Sequence, residues 1–170
     1  TDICIGIVDD GVYYNHSDLS ANFDFERSNV VTGIGDHYVG NLPFLGTFTH
    51  GTMVASCAAG TGNKYIVGVA PRCKIASYRF FPIEEDNNGN YITANTNVND
   101  INNLFMNPTV DILNNSWGSS KGYIYNHSYM DGIIQGVKNG RNGKGVISVW
   151  ASGNDGAKGD SDIYSADYAL

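Results

Sequence analysis

The chain has 170 residues, of which 42% are hydrophobic and 16% charged, so it can bury one sizeable core and is not a disordered acidic segment. At about 150 residues per domain, this length accommodates one domain or a large part of one. The formal net charge of −7 weighs against nucleic-acid binding and favours cations or basic peptides as partners. No apolar run reaches the roughly 18 residues of a membrane-spanning helix, so no membrane segment is expected.

The chain begins with a predicted buried strand. Residues 3–8 form a continuous apolar run that ends in Asp9-Asp10-Gly11, which is typical of a parallel strand opening into a turn. Asp9 would therefore lie at the carboxyl end of a strand, where α/β folds place their chemistry. Residues 12–49 are rich in Gly, Asn, Asp and Tyr without sustained periodicity, which predicts mainly loops.

Helical and strand patterns then follow one another along the chain. Small residues between Thr52 and Ala59 predict a compact helix closed by Gly60. Strands are predicted over 66–70 and 74–80, with a turn at Pro71 between them and a polar loop over 84–90. Two amphipathic helices are predicted from the spacing of Val98, Ile101 and Phe105, and of Met130, Ile133, Ile134 and Val137. They flank an apolar run over 110–113, and a further buried strand is predicted over 146–150. This alternation predicts an α/β fold with a doubly wound, mostly parallel sheet and helices on both faces.

Three cysteines, Cys4, Cys57 and Cys73, form no CxxC pair and each lies in an apolar stretch. Free cysteine packs as a small hydrophobic residue in such surroundings. We therefore interpret them as structural thiols rather than as a disulfide or a metal site.

Three polar residues carry the candidate chemistry. Asp9 ends a buried strand and His50 opens a helix directly before a glycine; each alone also fits a structural role, as a turn carboxylate or a satisfied loop histidine. Together they supply two members of an Asp-His-Ser relay. Asn154 follows a buried strand in a Gly-flanked turn, which suits either an ordinary turn residue or an oxyanion donor, whose loss typically costs about 10²- to 10³-fold in rate.

Four segments together resemble the subtilase family, and within it the kexin and furin branch. They are Ile7-Val8-Asp9-Asp10-Gly11, His50-Gly51-Thr52-Met53-Val54-Ala55, Asn115-Ser116-Trp117-Gly118 and Ala151-Ser152-Gly153-Asn154, in the family's chain order. The resemblance implies a subtilisin-like serine endopeptidase in which Asp9 orients the general base His50 and Asn154 is the oxyanion donor. It also implies substrate binding by Asp10, Ser116, Trp117, Gly118, Ala151, Ser152 and Gly153, although Trp117 alone would also fit a core aromatic.

The resemblance further implies structural Ca²⁺, since family members bind it beside the Asp motif. The matching candidates are Asp18 and Asn63, although the cation Lys64 follows Asn63. Asp160 matches a third ligand, and Asp162 and Asp167 add acids in the same segment. Kexin-like subsites use such carboxylates to bind basic residues. The acidic run expected after Ser-Trp-Gly is replaced by Ser119-Ser120-Lys121, which removes a pocket carboxylate.

The family's serine motif is missing from these 170 residues. We therefore expect the chain, residues 1–170, to be the N-terminal part of a single, C-terminally truncated catalytic domain, inactive alone. The alternative is a non-catalytic peptide-binding pseudoprotease or scaffold. A nucleotide-binding domain is disfavoured, because no strand leads into GxGxxG and the Gly60–Lys64 segment does not match a phosphate loop. By resemblance alone, a peptide or protein substrate and a secretory or extracellular location are expected, with no organic cofactor.

Overall fold

A computed structural model describes residues 2–30, 50–81, 83–85, 88, 91–93, 103–106, 108–118 and 127–151. The strands are β1 (Cys4–Asp9), β2 (Asn29–Val30), β3 (Lys74–Arg79), β4 (Ile83–Glu85), β5 (Tyr91–Thr93), β6 (Ile112–Asn115) and β7 (Ile147–Trp150). The helices are α1 (His50–Ala59) and α2 (His127–Gly143), and a further helical turn covers 103–106.

The central element is a five-stranded parallel sheet with the order β2-β3-β1-β6-β7. β4 and β5 form a separate antiparallel pair. The chain builds β2 and β3 on one side of β1 and then crosses to build β6 and β7 on the other. The strand order therefore reverses between β1 and β6, and α/β folds bind ligands in the crevice outside the carboxyl ends of strands at such a point. The predicted α/β fold is confirmed.

The two faces of the sheet pack into separate hydrophobic cores. Val8 of β1 lies in a core that includes Ile133 of α2, whereas Ile5 and Ile7 lie in a second core that includes Ala55 of α1. Successive side chains of a strand point to opposite faces, so this division follows from the continuous apolar run of β1. The helices therefore cover both faces, as a doubly wound sheet requires.

Helix α1 consists mainly of small residues, which allows its backbone to approach the sheet closely. Ala55 and Ala59 are fully buried. The helix ends where predicted, with the Gly60 N–H donating to the Ser56 carbonyl at 2.9 Å. It begins at His50, the residue predicted to open a helix, two residues before the segment of small residues that starts at Thr52.

The C-terminal end of α2 is fixed by a left-handed turn. Arg141 and Asn142 have φ values of 56° and 59°, outside the helical region, after Gly140 has left it. The Arg141 guanidinium forms an ion pair with Asp111, immediately before β6, and donates to the Gly145 carbonyl at 3.1 Å. These contacts direct the chain from α2 into β7.

Three of the local predictions were wrong. The strand predicted to be buried over 146–150 forms as β7, but Ile147 and Val149 are exposed. Residues 66–70 form no strand; they contribute one isolated bridge, between Thr61 and Val67, and Val69 is 94% exposed. The predicted polar loop over 84–90 instead supplies residues to β4 of the small hairpin. Val98 and Ile101 of the predicted third helix lie outside the described residues.

The cysteines are all free thiols, as predicted, but their burial differs. Cys4 is buried in the core, and burial raises the pKa of its thiol to about 11. Cys57 is exposed rather than packed as a hydrophobic residue, and Cys73 is half-buried. Across the described segments, neither helix has the length and apolar content needed to cross a bilayer.

Candidate active site

Asp9 ends the central strand beside the switch point and is almost completely buried. Its Oδ1 accepts a hydrogen bond from the Asp10 N–H at 2.9 Å. Burial raises the pKa of the Asp9 carboxyl, and the hydrogen bonds from the Asp10 N–H and from His50 oppose this effect without cancelling it. The carboxylate therefore needs a nearby positive or donating group in order to remain ionised.

His50 provides that group from the first turn of α1. Its Nδ1 lies 2.9 Å from both Oδ1 and Oδ2 of Asp9. The His50 side chain is 54% exposed, whereas that of Asp9 is 3% exposed. A carboxylate can only accept, so Nδ1 carries the proton and Nε2 of a neutral His50 is left free to accept one.

Asp10 holds the main chain of His50. Its Oδ2 accepts from the His50 N–H at 3.2 Å and its Oδ1 from the Gly51 N–H at 2.7 Å. The first N–H groups of a helix have no partner within the helix, and a carboxylate beside them is favoured by the helix dipole. Asp10 thus acts as an N-cap supplied by the residue that follows β1, with only 7% of the residue exposed.

Gly51 is required by the close contact between α1 and the end of β1. A Cβ at Gly51 would collide with the Gly11 carbonyl oxygen and lie 2.9 Å from both the Asp10 Oδ1 and the Asp9 Cβ. Any larger residue would push α1 away and separate His50 from Asp9. The His-Gly pair seen in the sequence is therefore a steric requirement of the site.

The segment Ser116–Gly118 leaves β6 at the same edge of the sheet. The Ser116 hydroxyl accepts from Asn114 Nδ2 at 2.8 Å. The Trp117 ring stacks on Phe80 with 4.5 Å between centroids and meets Trp150 edge-on at 5.0 Å. Trp117 thus packs against the core as well as lying at the predicted substrate-binding edge.

The segment after β7 starts beside Ser116. The Ala151 N–H donates to the Asn115 carbonyl at 3.0 Å, which extends the pairing of β7 with β6 to the sheet edge. The other predicted site residues of this segment, Ser152, Gly153, Asn154 and Asp160, lie outside the described residues, as do Asp162 and Asp167.

The predicted calcium ligands Asp18 and Asn63 are adjacent, but their donors and acceptors do not suit a cation. Asp18 is fully buried, and its carboxylate accepts from the N–H groups of Lys64, Tyr65 and Ile66. Asn63 Nδ2 donates to the Ser17 carbonyl at 3.2 Å, so that carbonyl oxygen already accepts a hydrogen bond. Within the described segments, no group of three His, Cys, Asp or Glu side chains could hold a metal ion.

Arg79 was not singled out from the sequence. It ends β3 in register with Asp9 and is 6% exposed. In parallel strands, residues in register point to the same face, so a buried cation lies on the face that carries the catalytic candidates. The signal available in the sequence was a single arginine inside the predicted strand over 74–80.

Comparisons with known proteins agree with the predicted resemblance. Residues 1–169 match the subtilase family. Endoprotease bli-4 of Caenorhabditis elegans is 35% identical over 94% of this chain, and human proprotein convertase subtilisin/kexin type 6 is 32% identical over 93% of it. The chain spans only 16% of the length of each of these relatives.

The fold is also similar to that of solved structures. Fervidolysin from Fervidobacterium pennivorans, described as a keratinolytic enzyme related to subtilisin, superposes with a TM-score of 0.60 at 22% identity, over 92% of this chain and 22% of that one. With the family match across nearly its whole length and convertases among its relatives, the chain belongs to the subtilase family.

Proposed function

We propose that this chain forms the N-terminal part of the catalytic domain of a serine endopeptidase. His50 is the general base, Asp9 orients it, and the nucleophilic serine lies beyond Leu170. The observation that supports this most strongly is the 2.9 Å contact between His50 Nδ1 and the buried Asp9 carboxylate at the switch point of the sheet.

The proposed reaction moves one proton through His50. Nε2 takes the proton of the serine hydroxyl as its oxygen attacks the peptide carbonyl, and the negative charge of Asp9 stabilises the imidazolium that forms. The same proton passes to the departing amine, and water then hydrolyses the acyl-enzyme with His50 again acting as base. Asp9 remains ionised throughout and supplies orientation and charge.

The oxyanion would be stabilised by the side-chain amide of Asn154. This role rests on the family motif and on the position of Ala151, whose hydrogen bond to Asn115 brings the segment to the reacting edge. An amide aimed at the developing oxyanion contributes typically 10²- to 10³-fold in rate, so Asn154→Ala should lower kcat by about that factor.

The substrate would bind as an extended strand. Ser116, Trp117 and Gly118 follow β6 at an edge where main-chain groups can pair with a peptide, as in other proteins that add a strand to a sheet. The chain beyond Ala151, with Ser152 and Gly153, would form the other wall of this cleft. A peptide or protein substrate follows from this arrangement.

For specificity, we propose a preference for a basic residue next to the primary position, with non-basic residues tolerated in the primary pocket. The support is the negative charge of Asp10 beside the catalytic pair, together with Ser119-Ser120-Lys121 where kexin-like enzymes carry acids. A basic side chain that loses water needs a paired anion to offset its desolvation. Processing of precursor proteins along the secretory pathway would suit such a preference.

Variants of Asp10 separate its charge from its contacts with α1. Asp10→Ser keeps a hydroxyl that can accept from the helix N-terminus, whereas Asp10→Ala removes both the charge and the cap. In peptide-library profiling of the full-length protein, we expect both variants to lose the basic preference and Asp10→Ala to lose more stability than Asp10→Ser, whose single oxygen can replace at most one of the two contacts with α1. An unchanged preference in Asp10→Ser would remove Asp10 from the recognition site.

The activity itself is tested by peptide hydrolysis with the full-length protein. We expect cleavage by the wild type, a loss of at least about 10³-fold in kcat for His50→Ala, and unchanged cleavage for Gln135→Ala, an exposed position on α2. Peptide binding without cleavage would instead indicate the non-catalytic alternative.

A further inference from the structure

Asp18 is the most completely buried carboxylate of the described residues and lies away from the Asp9–His50 pair, beyond the other end of α1. Its Oδ1 accepts from the Lys64 N–H at 2.6 Å, and its Oδ2 accepts from the N–H groups of Tyr65 at 2.9 Å and Ile66 at 3.3 Å. Three consecutive amides therefore converge on one side chain. A run of N–H groups of this kind forms a concave site for an anion.

The same loop is fastened to residues 17 and 18 by further hydrogen bonds. The Thr61 N–H donates to the Asp18 carbonyl at 2.8 Å, and Asn63 Nδ2 donates to the Ser17 carbonyl at 3.2 Å. The loop also closes on itself, because the Gly62 N–H donates to the Ile66 carbonyl at 2.9 Å. Asp18 and this loop, residues 61–66, thus form one hydrogen-bonded unit directly after α1.

A calcium ion bound to Asp18 would conflict with this unit. Ca²⁺ needs six to eight oxygen ligands at about 2.3–2.6 Å. The hydrogens of three amides point at the carboxylate instead, and they use three of its roughly four acceptor positions. The neighbouring side chains add nothing that favours a cation: the Asn63 amide already donates a hydrogen bond to the Ser17 carbonyl oxygen, and the Lys64 side chain is positively charged.

We propose that Asp18 is a metal-independent clamp, in which the amides of Lys64, Tyr65 and Ile66 take the place of the cation that the family resemblance implies at this position. The anionic carboxylate is stabilised by the dipoles of these three backbone N–H groups. The loop after α1 is then held by the chain itself, and its order does not depend on calcium.

If Asp18 is a metal-independent clamp, calcium should not change the effect of an Asp18 substitution on the melting temperature. The full-length protein and its Asp18→Ala variant are unfolded in excess EDTA and in millimolar CaCl₂, with Asp131→Ala as an exposed aspartate control. We expect Asp18→Ala to lower the melting temperature by the same amount in both solutions. Any calcium-induced shift from sites elsewhere should be equal in the wild type and the variant.

A calcium site at Asp18 predicts the opposite result. Calcium would then no longer raise the melting temperature of Asp18→Ala. The variant would melt below the wild type in CaCl₂ but at the same temperature in EDTA, and this outcome overturns the clamp. If Asp18→Ala does not fold, Asp18→Asn replaces it, because its remaining oxygen keeps an acceptor for the loop amides.

Terbium luminescence gives a second, local readout. Tb³⁺ substitutes for Ca²⁺ and is sensitised by a nearby aromatic ring, and Tyr65 would adjoin any ion held by Asp18. With tyrosine excitation, we expect the Tb³⁺ signal of the full-length protein to be unchanged by Tyr65→Phe and by Asp18→Asn. A signal lost in both variants would place a cation at Asp18 and contradict the clamp.

Discussion

The buried carboxylate of Asp9 serves the proposed chemistry at the expense of stability. Its pKa in the folded protein is raised, chiefly by burial. The folded state therefore holds this proton more tightly than the unfolded chain, in which an aspartate titrates near pH 3.9. As the pH rises through the interval between the two pKa values, stability is lost, and it remains lost at neutral pH.

Replacement of Asp9 should separate its contribution to catalysis from its cost in stability. Asp9→Asn removes the buried charge, so we expect a higher midpoint of denaturant unfolding at neutral pH and a gain that shrinks as the pH falls towards about 4. The same variant presents an amide donor to His50 Nδ1 and favours the wrong tautomer, which lowers kcat by about 10³- to 10⁴-fold. A variant less stable than the wild type at neutral pH and equally stable at acid pH would refute the sign of this linkage.

Helix α1 is held at both ends by side chains from other parts of the chain. Asp10 caps its N-terminus, and at its C-terminus Asn22 Nδ2 donates to the Ala59 carbonyl at 3.0 Å and to the Pro71 carbonyl at 2.9 Å. Asn22 is 9% exposed, so its side chain is largely shielded from water. The position of His50 therefore depends on contacts made at both ends of α1.

Loss of the Asn22 hydrogen bonds should lower the stability of the protein by a measurable amount. Asn22→Ala leaves two carbonyl groups without this donor, and we expect it to lower the free energy of unfolding by about 1–3 kcal/mol in urea titrations of the full-length protein. Asn22→Asp has the same shape but presents oxygens to both carbonyls and should be at least as destabilising. If Asn22→Asp matched the wild type at neutral pH, hydrogen bonding by this side chain would not be the source of the stability.

The elements that could be predicted from the sequence are those with strong local patterns. The apolar run before Asp9, the small residues of α1 and the helical spacing around Ile133 each specify an element and the face that it buries. The position of Asp9 at the end of β1 predicted that the site lies at the carboxyl edge of the sheet. Such patterns are local, so they carry no information on long-range hydrogen bonds.

The features that could not be predicted depend on partners far apart in sequence. The cap formed by Asp10 on α1 joins residues 40 positions apart, and the clamp on Asp18 joins residues 46 to 48 positions apart. Val67 and Val69 favoured a strand in the sequence because they are apolar. In the structure both are largely exposed, and apart from the bridge between Thr61 and Val67 they pair with no described strand. Apolar composition alone does not identify the surface that will cover a residue.

At the scale of the whole molecule, apolar side chains remain on the surface near α1 and along β7. Met53 is 56% exposed, Val67 68% and Ile147 63%. Contiguous exposed apolar surface usually marks a place where another part of a protein packs. The chain spans less than a quarter of the solved subtilase and of the convertases compared above.

We therefore expect the isolated 170-residue chain to be marginally stable and without peptidase activity. It should bind a hydrophobic dye such as ANS and unfold over a broad range of denaturant, whereas the full-length protein should unfold cooperatively with little dye binding. A sharp unfolding transition without dye binding by the isolated chain would show that these surfaces need no further segment to cover them.

In the proposed mechanism, Asp9 and His50 activate a serine supplied by a later part of the protein. The most direct test is labelling of the full-length protein with a fluorophosphonate probe, followed by mass spectrometry of the modified peptide. We expect one labelled serine beyond Leu170, with a labelling rate that falls at least about 10³-fold in His50→Ala and is unchanged in Gln135→Ala. Labelling that is absent, or that proceeds equally in His50→Ala, would contradict it.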